Sequence, residues 1–74
     1  MKPFEVVALT ADIPAEGLVR GQVGTIVEIM APGFFEIEFI DNNGNTYGLC
    51  TVPESDLMVL HHEPQVKLPS APPA

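Results

Sequence analysis

The sequence predicts a small all-β domain, and three observations carry that expectation. Apolar residues recur with a period of two in short runs, and no window holds a sustained 3.6-residue stripe. Pro, Gly and an Asn-Gly pair punctuate the intervals between the runs. The chain has 74 residues, which allows one domain. A domain of this size buries only about 60% of its unfolded surface, so its core must be well packed to hold.

The first run, Phe4 to Leu9 (FEVVAL), is rich in residues that favour strands. Thr10 to Gln22 follows as the longest linker, without a strand pattern, and is expected to cross the surface. Gly17, Gly21 and Gly24 then mark positions that need positive φ or leave no room for a Cβ, with Gly21 and Gly24 forming the corner into the second strand. In that strand, Val23 to Met30, the alternation sets Thr25, Val27 and Ile29 on one face. Ala31-Pro32-Gly33 is a tight link to Phe34 to Ile40 (FFEIEFI). There Phe35, Ile37 and Phe39 point one way and Glu36 and Glu38 point to water.

Asp41 to Asn45 contains Asn43-Gly44, which tolerates positive φ and should close a hairpin into Thr46 to Val52. Pro53 to Asp56 is long enough only for a single turn, of 3₁₀ type, before a last strand from Leu57 to His61. Pro3, Pro14, Pro32 and Pro53 all stand at edges of apolar segments, where a missing N–H harms a sheet least. The other four prolines lie in EPQVKLPSAPPA. The expected division is therefore a domain over residues 1–62 and a disordered Pro-rich tail over 63–74.

Strand, long loop, glycine-marked turn, two hairpins, short turn and last strand is the element order of an SH3-like barrel. GLVRGQVGTIVEI resembles the KOW-type stretch of such barrels, with counterparts for Gly21, Val23, Gly24, Ile26 and Ile29. Residues Val6 to Leu60 also resemble a family of small bacterial proteins carried as a domain of unknown function. The matching segments are VVALTADIPAEGL, GQVGTIVEI, FEIEFIDNNGNT and VPESDL. That resemblance implies an SH3-like barrel and supplies no activity and no catalytic residues.

Charge narrows the function classes. Ten acids against three Lys and Arg give a net charge of −7. Nucleic-acid binding rests largely on neutralising phosphates, so this balance opposes a nucleic-acid partner, and the same sign opposes anionic membranes. No apolar run approaches the roughly 20 residues of a membrane span. The N-terminus does not read as a signal peptide, because Glu5 interrupts the apolar region, and the single Cys50 forms no disulfide framework. The expected location is the cytoplasm.

The residues offer no catalytic constellation. Gly21 and Gly24 precede a strand, whereas a dinucleotide-binding glycine motif must open a helix. His61 and His62 are successive strand residues that point to opposite faces, a poor metal pair. Cys50 has apolar flanks and no cation to activate it. Glu36 and Glu38 stand side by side on a ribbon rather than across a cleft. No cofactor is expected, and neither an enzyme nor a metal protein is favoured.

Two surfaces remain as sites for a protein partner. Asp12 and Glu16 in the long loop, with Glu54 and Asp56 in the short turn, would form an acidic rim for a partner with a basic patch. Ile26, Met30, Phe34 and Ile40 sit on the polar faces of their strands. Those that strand bulges leave exposed would suit a partner or a homodimer. The expected function is a non-catalytic protein–protein interaction module, of the kind that serves as an accessory subunit or as the partner of a neighbouring gene's product. A KOW-type nucleic-acid-binding module is the alternative.

Overall fold

A computed structural model describes residues 1–60. The strands are β1 (Val6–Leu9), β2 (Val23–Ala31), β3 (Phe34–Ile40), β4 (Thr46–Pro53) and β5 (Leu57–Val59). They form one antiparallel sheet in the order β4-β3-β2-β1-β5. Two 3₁₀ turns, Pro14–Glu16 and Glu54–Asp56, interrupt the connections, and no α-helix occurs among the described residues. The domain is all-β, as its period-two patterning predicts. The expected tail, residues 63–74, lies outside the described residues.

The core is built from one face of every strand. Val7, Leu9, Ile26, Phe35, Ile37, Phe39, Val52 and Leu57 are buried together. Because no second layer exists among the described residues, a single sheet encloses such a core by curling over it. Leu18 closes it from the long loop at 2% exposure. The expected surface course of that loop is thus only partly right. An Ile13–Leu18 bridge and the turn at Pro14–Glu16 fold the loop back and drop Leu18 into the apolar interior.

The inward face of β2 differs from the expected one. Ile26 pairs with Ile37 and is 0% exposed, so it belongs to the core and not to an exposed patch. A register shift follows between Ile26 and Glu28, and a second between Ile29 and Ala31. Each bulge flips the phase of alternation, so no single face runs through all of β2. Ile29, read as sharing a face with Thr25 and Val27, lies exposed beyond the first bulge.

Gly24 also has a different reason from a turn. It lies within β2, buried, and positive φ occurs instead at Gly17, Gly21, Gly33 and Gly44. A Cβ on Gly24 would lie 2.6 Å from Ile37 Cγ2, 2.8 Å from the Glu38 carbonyl oxygen and 2.9 Å from Phe39 Cδ1. The glycine is required by close approach of β3, not by backbone torsion. Gly21 does take the turn conformation, at φ 94°, and its N–H donates to the Leu9 carbonyl at 2.8 Å.

The β3–β4 hairpin closes where the Asn-Gly pair predicts, but Asn43 does not share the positive φ of Gly44. Asp41 organises the turn instead. Its carboxylate accepts the N–H groups of Asn43 (2.8 Å) and Asn45 (2.9 Å), and its carbonyl accepts that of Gly44. Aspartate at the first position and glycine at the fourth suit a type I turn rather than the mirror-image turn of a two-residue hairpin.

The first and last strands are shorter than expected. Phe4 is in the left-handed region at φ 70°, which bends the chain away from β1, although its N–H still donates to the Ile26 carbonyl. β5 ends at Val59, with one further bond from the Leu60 N–H to the Val6 carbonyl, and His61 lies outside the described residues.

Replacing Gly24 by Ala should destabilise the domain by about 1–3 kcal/mol through overpacking against a neighbouring backbone. Gly21→Ala, where nothing lies within 4 Å of the added Cβ, should cost only the torsional penalty of about 1 kcal/mol. Denaturant unfolding of both variants checks this. A Gly24→Ala midpoint equal to that of the parent would contradict the close approach.

Candidate functional site

The acidic residues of the long loop and the short turn are carried by two elements that bond to each other. The Thr10 N–H donates to the Asp56 carbonyl at 2.9 Å, and its hydroxyl donates to the Ser55 carbonyl at 3.4 Å. The start of the long loop therefore lies along the Glu54–Asp56 turn. Asp12, Glu16 and Glu54 are exposed and Asp56 is half-buried.

Each acid has a distinct setting. Asp12 accepts the Arg20 backbone N–H at 2.8 Å, which holds the loop's two ends together and uses one carboxylate oxygen. Glu54 stands at the far end of its turn, where its N–H donates to the Gly33 carbonyl at 2.9 Å. Glu16 ends the first 3₁₀ turn, and its charge acts on Cys50 of β4. Asp12 and Glu16 lie on the long loop and Glu54 and Asp56 on the short turn, two elements that meet at Thr10.

The proposed apolar set divides. Ile26 is in the core. Met30 and Phe34 flank the β2–β3 connection and are about half exposed, whereas Ile40 lies at the opposite end of β3. Six residue steps along the strand separate Phe34 from Ile40, about 20 Å at strand rise, so they form no single patch. The register shows a different row: Ala8 pairs with both Val23 and Met58, leaving two exposed apolar side chains beside a small buried one. Strand pattern did not reveal this row, because Val23 reads as a core position until its partner is known.

Cys50 is half-buried on β4, and its thiol is pushed up by burial and then by the charges of Glu16 and Glu36. All three effects disfavour the thiolate. Glu36 stands opposite Glu28, and like charges directly across a ladder oppose pairing. Glu38 accepts the Thr46 hydroxyl at 2.7 Å. Among the described residues no three His, Cys, Asp or Glu side chains converge as metal ligands. His61 and His62 lie outside those residues. No helix among the described residues is long and apolar enough to cross a membrane.

Residues 4–59 match the family model described as a domain of unknown function (DUF4926). The chain belongs to this family. The match covers every strand of the DUF4926 domain and both 3₁₀ turns, along with the acids of the long loop and the short turn. Comparison with curated proteins and with solved structures finds no match.

Cys50 of the DUF4926 domain should react with iodoacetamide more slowly than a free cysteine at pH 8. Its rate should rise only above the ordinary thiol range, because the raised thiol holds little thiolate below it. A rate at pH 8 equal to that of free cysteine would show that burial and the two glutamates do not act on it.

Proposed function

We propose that this chain is a non-catalytic protein–protein interaction module, an SH3-like barrel that receives a basic surface of its partner. The observation that supports the reading is the bonding of Thr10, at the start of the long loop, to the Glu54–Asp56 turn, which joins the two elements that carry the exposed Asp12, Glu16 and Glu54. Arg20 is the nearest cation in sequence, and it approaches Asp12 through its backbone N–H. Charge of this sign attracts Lys and Arg at a distance and speeds encounter more than it tightens the final complex. The barrel reading draws on the single curled sheet, the long first loop and the 3₁₀ turn before the last strand.

The KOW-type alternative rests on GLVRGQVGTIVEI and meets the opposing charge of −7. Passage over heparin resin at low salt separates the two readings, since a phosphate-binding surface would be retained and an acidic module would flow through.

With a partner captured by the full chain, the double reversal Glu54→Lys and Asp56→Lys should slow association about tenfold at low salt. Added salt should narrow that difference, and circular dichroism should be unchanged. A rate indifferent to both the reversal and salt would reduce the rim to solubilising charge.

A further inference from the structure

The two borders of the sheet are unequal. β5 has three residues, whereas β4 has eight and pairs on one side only, with β3. The Glu54 N–H to Gly33 carbonyl bond sets the phase of the β3–β4 ladder. Counting by twos from it, Phe35–Val52, Ile37–Cys50 and Phe39–Gly48 are the hydrogen-bonded pairs. Glu36–Thr51 and Glu38–Leu49 are the pairs between them. The β2 side agrees: Ile26 bonds towards Phe4 and Glu5, so Thr25 bonds towards Glu38 and turns that residue's backbone away from β4.

Leu49 and Thr51 therefore direct both N–H and C=O out of the sheet. Pro53 shares their phase and has no N–H to leave unpaired, the placement expected of a proline at a sheet border. Among the described residues no loop or turn bonds to the outward groups of Leu49 or Thr51. The usual guards are also missing. Thr46–Pro53 contains no charged residue, and Leu49 is 53% exposed.

We propose that the free edge of β4, from Leu49 to Pro53, accepts an extended cationic segment of a partner protein as a sixth strand. The inference rests on the protein-binding reading above and adds a mode of recognition to it. Backbone groups at ladder spacing supply the bonds, and alternate side chains supply the choice. Glu38 and Glu36 stand on β3 directly behind Leu49 and Thr51, and Glu54 follows Pro53. An added strand lies about 9.5 Å from β3, two strand spacings. Lys or Arg residues beside Leu49 and Thr51 can reach over those side chains towards Glu38 and Glu36, while the alternate apolar residues fall on the opposite face, the one that carries Cys50 and Val52. The two cations of the described residues, Lys2 and Arg20, are on neither β3 nor β4. A second copy would set like-charged flanks together, which makes it the poorer occupant.

The test uses the full ¹⁵N-labelled chain and an alternating Lys-Val peptide of about eight residues, long enough to match the strand. Before peptide is added, the amides of Leu49 and Thr51 should exchange with solvent at least about tenfold faster than those of Cys50 and Val52. The peptide should shift and slow those two amides. An alternating Glu-Val peptide, or the Lys-Val peptide N-methylated at alternate backbone positions, should leave them unchanged. Thr51→Pro removes an outward N–H and should abolish the effect. Leu49→Lys, which leaves the backbone free to fold, should weaken it at least about fivefold by adding like charge to the edge.

Several results would overturn the proposal. Leu49 and Thr51 amides already protected at every concentration would mean that residues 61–74 cover the edge. Protection that grows with concentration would assign it to a second copy. Equal binding of the Glu-Val peptide, or shifts confined to another surface, would also refute it. Asp56→Lys separates this inference from the rim: loss of rim steering leaves the Leu49 and Thr51 shifts in place, and loss of those shifts leaves the salt dependence of association intact.

Discussion

The packing of Phe39 between two glycines organises the rest of this domain. Phe39 is fully buried on β3, opposite Gly48 of β4 and beside Gly24 of β2. Its ring occupies the space that side chains would take on both neighbouring strands, an arrangement in which an aromatic covers otherwise open glycines. Leu18 reaches the same place from the long loop, since a Cβ on Gly48 would meet Leu18 Cδ2 and Phe39 Cδ2 at 3.2 Å each. Tyr47 tilts against the ring with centroids 6.1 Å apart. One aromatic thus ties three strands to the loop that carries Asp12 and Glu16. Burying such a side chain is worth about 1.5–3 kcal/mol, a large share of the stability available to so small a domain.

That loop is fixed to the fold at two points. Anchoring Leu18 in the core and Thr10 on the Glu54–Asp56 turn leaves Asp12 and Glu16 exposed between fixed points. A loop held at two points presents its charges with little conformational freedom left to lose. The same strand system exposes β4 with carboxylates of β3 behind it.

Much of the fold was legible from the sequence. All five strands occur where period-two runs predict them, β3 with the expected bounds, and the turn before β5 is a 3₁₀ turn. Less of the site was legible. The inward phase of β2 is set by its pairing with β3, and the bulges after Ile26 and Ile29 leave no local mark that alternation could report. Leu18 carries no strand pattern, so its place in the core follows only from the Ile13–Leu18 bridge that folds the loop inward.

The sequence by itself determined the class of the domain, its turns and its charge. These depend on residue type and near-neighbour spacing, through side-chain alternation, the torsions of Pro and Gly, and the count of ionisable groups. Tertiary structure decided which apolar residues are core and which are surface. Ile26 and Ile40 look alike in sequence, yet one faces Ile37 across a ladder in the interior and the other stands half exposed at a strand end. It also decided why Gly24 is glycine, because the atoms that exclude a Cβ come from another strand. Sheet order, and with it the side of β4 that is unpaired among the described residues, belongs to the same category. Hydrogen-bonding partners distant in the chain assign it, and no local pattern encodes it.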